Sequence, residues 1–371
     1  MRVAEWKVDC RYYVGDRPCR FRRECEACPE YSPQGKRVLV LKIGALGDVL
    51  RTTPILPALH ASPDPIHVTW VVGGEAFPLL DDHPRIDRLW VPGYETSARL
   101  EGERFDLVLS LDKDPYPTAL ASRVRATEHR GFGRDERGAL IPLHPSARHA
   151  WDLGLSDRLK FFENERTYQD LIFEVAGLEW ARQEYDLPSI GTNRDSGRRL
   201  LHELFGGDGP VVGFNTGAGG VFANKAWTVE GYAALAAQLA GEGVRVALLG
   251  GPAEGDRNRA IAEASRGAAR DTGIHSLPAF AGIVAACDAV VTGDTLGMHL
   301  AIAAGVPAVV LFGSTCAQEI ELYGRGEKIV TPIDCHPCYR RSCDISPSCQ
   351  DLIRPETVLA AVRRSLGAPR A

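Results

Sequence analysis

The apolar run Val38-Leu39-Val40-Leu41, followed at once by Lys42-Ile43-Gly44-Ala45-Leu46-Gly47-Asp48-Val49, constrains this chain most. Consecutive branched apolar residues suit a strand buried on both faces, as in a parallel sheet covered by helices. The stretch from Val49 to His60 has helical spacing. Gly44 and Gly47 read as the residues that let the chain turn sharply between strand and helix. Asp48 then stands at a helix start, beyond the carboxyl end of a strand, where open α/β sheets bind ligands. A carboxylate there is either a structural helix cap or a catalytic base.

The alternation continues along the chain. Strands are expected at 37–43, 66–72, 86–91 and 106–111, with helical segments between them, another at 115–125 and a longer one at 167–176. Residues 187–195, carrying Pro188, Gly191 and Asn193, read as a linker. A second series follows, with strands at 210–214, 244–249, 288–292 and 307–312 and helices at 228–240, 253–265, 296–304 and 356–366. Two such series within 371 residues predict two α/β domains, each with a parallel sheet covered by helices.

Composition narrows the function. With 44% apolar and 25% charged residues the chain has a soluble globular profile, and a net charge of −5 argues against a general nucleic-acid binder. The basic clusters Arg17 to Arg23, Arg340-Arg341 and Arg363-Arg364 read as solvated surface; the alternative is contact with anionic headgroups or a phosphorylated acceptor. Met1 to Asp9 has no apolar signal core. The longest apolar stretch, His299 to Phe312, is broken by Gly305 and Pro307. The expectation is a cytoplasmic protein, at most peripheral to the inner membrane face.

Each strand of the second series ends in a turn of small residues: Gly213 to Gly220, Gly250-Gly251-Pro252-Ala253-Glu254, Thr292 to His299, and Gly313-Ser314-Thr315. Bare backbone N–H groups at helix starts attract phosphate, so four such turns on one sheet edge point to a nucleotide diphosphate. Any one of them alone is an ordinary α/β turn. Lys225 beside the first turn can neutralise a diphosphate or sit plainly on the surface, and His299 is either a ligand contact or a satisfied core histidine. There is no Walker A motif, and Gly44-Ala45-Leu46-Gly47 is not a full dinucleotide fingerprint.

In the order and spacing of Lys42 to Val49, of Asn215-Thr216-Gly217-Ala218-Gly219 with Lys225 and Trp227, of Gly251 to Glu254, and of Gly293-Asp294-Thr295 with His299-Leu300-Ala301, the chain resembles the family 9 glycosyltransferases, the ADP-heptose-using heptosyltransferase group. The match covers residues 37–366. It implies an α/β fold of GT-B type, with two Rossmann-like parallel-sheet domains facing a central cleft. Residues 1–36 would then be a Cys-rich extension, 37–188 the acceptor-binding domain, 189–334 the nucleotide-sugar-binding domain, 335–350 a Cys cluster, and 351–371 a helix returning to the first domain.

The resemblance also implies roles. Asp48 would be the general base of an inverting transfer, with Gly47, Arg51 and Thr52 on the acceptor side. Lys225 would stabilise the leaving diphosphate, together with Thr216, Gly217, Asp294, Thr295, Gly297 and His299, and Glu254 would bind the donor ribose. The donor would be an ADP-linked sugar, a heptose, and the acceptor a glycan such as lipopolysaccharide core, with no divalent metal for catalysis. One departure stands out: the family's turn reads Asp-Thr-Gly-Leu-x-His, whereas here Gly297 is one place later. The rival readings are a protein-modifying heptosyltransferase, a non-catalytic metal-stabilised scaffold of the same shape, and a sugar-nucleotide epimerase. The epimerase would want a Tyr-x-x-x-Lys pair, and Val221 stands four residues before Lys225.

Eight of the ten cysteines fall into two groups. Cys335, Cys338, Cys343 and Cys349 lie within 15 residues and open with C-x-x-C, a spacing that suits a tetrahedral thiolate metal site. Cys10, Cys19, Cys25 and Cys28 close with C-x-x-C. Zinc, a single iron or an iron–sulfur cluster fit such ligands, with disulfides or free thiols as the alternative. Some autotransporter-modifying relatives of the family resemble this chain in carrying a cysteine-bound iron near the C-terminus. If the last helix returns to the first domain, the two groups would lie near each other as a structural clamp. Cys287 and Cys316 read as small buried apolar residues.

Overall fold

The computed structural model of the chain describes residues 5–217 and 225–367. They divide into two units. The first holds the residues up to Gly44, Ile55–Asp152 and Ile172–Gln183; the second holds Ala45–Pro54, Leu153–Leu171 and the chain from Glu184 onward. The expected single boundary near 188 is therefore replaced by an exchange of two short segments, and Asp48 belongs to the second unit.

The first unit is built on strands β1 (Lys36–Leu41), β2 (Ile66–Val71), β3 (Arg88–Trp90), β4 (Arg104–Ser110), β5 (Arg125–Arg134) and β6 (Leu140–Pro142) in the order β3-β2-β1-β4-β5-β6. The pairs are parallel except β5 with β6. Val38 to Leu41 are wholly buried, as a central strand covered on both faces requires. Leu39 and Leu41 share one core with Val71, Phe105 and Val108. The helical segments are α2 (Ile55–Leu59), α3 (Phe77–Leu80), α4 (Tyr94–Gly102), α5 (Pro115–Arg123) and α6 (Arg148–Asp152), while α1 (Leu46–Leu50) counts with the second unit and the division runs through α7 (Tyr168–Ala176).

The single helix expected over 49–60 is thus two short ones. Thr52 and Thr53 each donate their hydroxyl at 2.7 Å to a backbone carbonyl, of Asp48 and Leu50 respectively, and Pro54 has no N–H to continue the ladder.

The second unit repeats the plan. Strands β7 (Val211–Asn215), β8 (Arg245–Leu249), β9 (Ala269–Asp271), β10 (Ala289–Gly293), β11 (Ala308–Phe312) and β12 (Gly326–Val330) form the all-parallel order β12-β11-β10-β7-β8-β9. The helices are α8 (Pro188–Phe205), α9 (Val229–Gly241), α10 (Gly255–Ala264), α11 (Leu277–Ala286), α12 (Leu296–Ala303) and α13 (Pro355–Gly367). In both sheets the first strand lies at the centre and the order reverses beside it, which leaves a crevice at the carboxyl ends of the strands.

Two expectations are corrected here. The segment read as a linker is the first half of α8: Pro188 stands in the first turn, where its missing N–H costs nothing. The last helix was expected to return to the first domain. Instead α13 buries Val358, Leu359, Ala361 and Val362 in the core of the second unit, beside Leu235 and Val309. Arg363 and Arg364 on its outer face pair with Glu242 and Glu327, which favours the surface reading of that basic cluster.

Candidate active site

The site is built within the second unit. Its floor is the crevice at the ends of β7 and β8, where a cavity of about 380 Å³ is lined by Asn215, Gly217, Gly251, Glu254, Thr295 and Gly297 among others. Three of the four small-residue turns singled out in the sequence therefore meet here. The rest of the first turn, Ala218–Asn224, lies outside the described residues. Leu277, Phe280 and His275 complete the wall; they carry no motif, and only the open end of α11 beside the turns would have suggested them.

Glu254 is held in place by a backbone bond. Its Oε2 accepts from Gly251 N at 2.8 Å, and a Cβ on Gly217 would stand 2.5 Å from its Oε1. Gly217 thus lets the backbone approach this carboxylate without displacing it. Gly297, one place later than the family pattern, serves a similar need: a Cβ there would meet Asn215 Cγ at 2.5 Å. Asn215 Nδ2 donates to Thr295 Oγ1 at 2.8 Å and to Thr292 Oγ1 at 3.2 Å, which ties the start of α12 to the end of β7.

Lys225 lies against the next turn, with Nζ 3.1 Å from Asp294 Oδ2 and 3.2 Å from Asp294 O. Burial disfavours the charged form of Asp294, but the Lys225 ammonium, with smaller contributions from His299, Thr315 and Arg51, holds its carboxyl below the ordinary value. Thr216 is placed differently from expectation. Its side chain is fully buried and donates to Asn258 Oδ1 at 2.6 Å, so it secures the turn from behind. Trp227 is likewise a core residue, donating Nε1 to Ile353 O.

The second part of the site comes from α1. Asp48 is not a cap: Ala45 holds that position, and Asp48 lies in the first turn. Its Oδ1 is 2.7 Å from Arg51 Nη2, with side-chain exposures of 35% for Asp48 and 14% for Arg51, so the carboxylate is the partner that solvent reaches. The Arg51 guanidinium also lies 3.7 Å from the centre of the Tyr168 ring. Burial works against its charge, but Asp48 first and then Tyr168 and Glu319 raise its pKa above the ordinary value. Thr52 is fully buried and bonds Asp48 O and Tyr168 Oη, so it faces no acceptor.

Gly47 is not a left-handed turn residue. Its role is close approach: a Cβ there would stand 2.5 Å from His299 Cδ2. His299, on α12, is buried, and burial first, then Arg51, push its pKa down to about 4, against the pull of Asp294 and Asp48. It is neutral at pH 7. Gln169 Nε2 donates to Tyr185 Oη at 3.3 Å, and Tyr185 Oη is 3.0 Å from His299 Nδ1. With that network Tyr185 donates to Nδ1, which leaves the proton of the neutral ring on Nε2. Motif reading missed Tyr168, Gln169 and Tyr185, since none of them lies in a ligand-binding or catalytic motif.

The cysteine groups hold no disulfide. Among the described residues no three His, Cys, Asp or Glu side chains converge to hold a metal ion, so neither expected metal site is preformed. In the C-terminal group Cys343 is exposed while Cys349 is buried. Burial first, then Cys343, Cys338 and Cys335, raise the Cys349 thiol. Cys287 and Cys316 are buried. Among the described residues no helix is long and apolar enough to cross a membrane.

Comparison with known proteins agrees with this architecture. Residues 95–348 match the family model described as glycosyltransferase family 9 (heptosyltransferase). Lipopolysaccharide heptosyltransferase 1 of Pseudomonas aeruginosa is 28% identical over 335 residues, covering 85% of this chain and 89% of the relative. A glycosyl transferase of family 9 from Veillonella parvula superposes with a TM-score of 0.70 at 20% identity, over 89% of this chain and 97% of that one. The E. coli heptosyltransferase WaaC with ADP-2-deoxy-2-fluoro heptose gives 0.59 at 19%, over 88% and 99%. Both structures share the two-domain GT-B fold.

Proposed function

The chain belongs to glycosyltransferase family 9, and on that premise we propose that it transfers a heptose from an ADP-linked donor to a hydroxyl of a lipopolysaccharide core acceptor, with inversion at the anomeric carbon. One observation carries the reading: the helix whose start closes the nucleotide-sized cavity, α12, is the helix against which Gly47 and the Asp48 turn pack. In this reading the turn that carries the base and the turn that holds the diphosphate lie against the same helix.

In this reading Glu254 takes the donor ribose hydroxyls, and the apolar wall of Leu277 and Phe280 takes the base. Lys225 and the backbone N–H groups at the start of α12 receive the charge that develops on the diphosphate as it leaves. Asp48 removes the proton of the acceptor hydroxyl while that oxygen attacks the anomeric carbon on the face opposite the leaving group. The sugar–phosphate bond breaks, the proton ends on Asp48, and ADP departs. Arg51 orients Asp48 through their ion pair, and His299 stays neutral, offering an Nε2–H donor without adding a cation beside Arg51.

The test is a turnover assay with ADP-heptose, GDP-mannose and UDP-glucose as donors and a heptose-free lipopolysaccharide core as acceptor. Product of β-linked ADP-heptose with an inverted anomeric centre is expected. Transfer from the GDP or UDP donor alone, or a retained configuration, defeats the proposal.

A further inference from the structure

The described residues ahead of β1 form neither helix nor strand; one isolated bridge joins Cys10 to Pro33. Cys10, 8% exposed, is their one buried apolar side chain. Such a segment has no apolar core to hold it, and small units of this kind are ordinarily stapled by disulfides or a metal.

Its backbone is nonetheless specific. The carbonyl of every one of its four cysteines accepts the N–H three residues on: Tyr13 to Cys10 at 2.9 Å, Arg22 to Cys19 at 2.9 Å, Cys28 to Cys25 at 3.3 Å and Tyr31 to Cys28 at 3.2 Å. Each cysteine therefore heads a tight turn. Within these turns Arg22 and Ala27 have φ of +50° and +53°. Left-handed backbone at such residues costs ~1–2 kcal/mol each. All four cysteines line one cavity of about 590 Å³, and none is in a disulfide. The segment is tied to the sheet of the first unit by Arg11, whose guanidinium meets Asp87 at 2.6 Å.

We propose that this cavity takes a metal centre bound by the thiolates of Cys10, Cys19, Cys25 and Cys28, and that the centre replaces the missing core of the extension. The four thiols ring the cavity without converging on one point. Binding must therefore either draw them inward by side-chain rotation onto one zinc ion, at ~2.3 Å from each sulfur, or bring bridging sulfide of its own in an iron–sulfur cluster. In both cases the four S–H protons leave to solvent; zinc binds with no change of oxidation state, and a cluster arrives already assembled from a cluster-donor protein, so its transfer moves no net electrons either. The tetrathiolate site is common to both; the metal found tells them apart.

The experiment uses the full chain, purified without oxygen. Zinc, iron and acid-labile sulfide are measured in the wild type, in Cys25→Ser and in Cys338→Ser, the last as control for the C-terminal group. The expected result is loss of one centre per chain in Cys25→Ser and its retention in Cys338→Ser. Zinc without sulfide identifies the ion; iron with sulfide and absorbance near 400 nm identifies the cluster. Equal metal content in Cys25→Ser and wild type overturns the proposal. So does wild type that carries no metal and takes up neither zinc nor iron with sulfide. A second readout needs no variant: alkylation of native wild type followed by peptide mapping. The four cysteines should be protected until a chelator or mercurial is added, with tryptic cleavage between Arg17 and Arg23 rising at the same moment. Open alkylation from the start, or disulfides among these four, refutes the site.

Discussion

Asp48 in α1 and Arg51, the residue that ends that helix, hold opposite charges 2.7 Å apart, and that pairing changes what a substitution at Asp48 tests. In the proposed mechanism Asp48→Asn removes the base, and it also leaves Arg51 in a largely buried place without its counter-charge. Turnover should fall ~10²–10⁴-fold, and stability by ~1–3 kcal/mol, the cost of an unsatisfied charged partner. Asp48→Asn with Arg51→Met should recover stability, since the buried charge is gone, but not turnover. Steady-state kinetics and urea unfolding of both variants separate the two effects, and near-normal turnover of Asp48→Asn alone removes it from the role of base. Tyr185→Phe asks a finer question. It deletes only the hydroxyl that fixes the His299 tautomer, worth ~1 kcal/mol as a hydrogen bond. A drop of several-fold in kcat with the ADP-induced thermal shift intact is expected; unchanged kcat would make Tyr185 a packing residue.

At the scale of elements, α8 and α11 show why part of this fold was hidden in the sequence. Gly191, Asn193 and Pro188 together look like a linker, yet they lie on a helix that crosses another at backbone contact. A Cβ on Gly197 would stand 2.2 Å from the Gly282 carbonyl oxygen, and one on Gly282 would stand 2.4 Å from that of Asn193. Glycine is there for closeness, and no local pattern distinguishes that need from a turn. Gly197→Ala should therefore destabilise by ~1–3 kcal/mol through overpacking, although alanine favours an isolated helix by ~1 kcal/mol over glycine. The sign is the test: a gain in the urea midpoint would mean the helices are not in contact there. By contrast β1 and β10 were legible, because strands buried on both faces are written as unbroken apolar runs. β5 was missed, since Arg125, Glu128, His129 and Arg130 interrupt its apolar positions. The cavity at the ends of β7 and β8 was legible through Gly217, Glu254 and Gly297, whose spacing after strands carries the signal. The network of Gln169, Tyr185 and Tyr168 was not, because it is assembled only when distant segments fold together.

For the whole molecule, each unit contains one histidine that folding forces to be neutral. His67 on β2 is wholly buried, with both ring nitrogens lacking a hydrogen-bond partner, and burial foremost pushes its pKa down to about 4. His299 in the second unit is pushed to about 4 as well. An unfolded histidine titrates near ~6.5, so between that pH and about 4 the unfolded chain binds protons that the folded chain refuses. Stability from these two groups is complete above ~6.5 and is lost as pH falls, by about 2 kcal/mol for each histidine at pH 5. Urea unfolding at pH 7.5, 6.0 and 5.0 should show a falling midpoint, and His67→Leu should flatten that fall by roughly half. Asp294 does not confuse the measurement: its carboxyl is held below its ordinary value, so the stability it contributes is lost only at lower pH still. A midpoint independent of pH between 7.5 and 5.0 would mean that both imidazoles reach water or a proton acceptor in the folded protein. For His299 that would also remove the reason to treat it as a neutral donor beside Asp48.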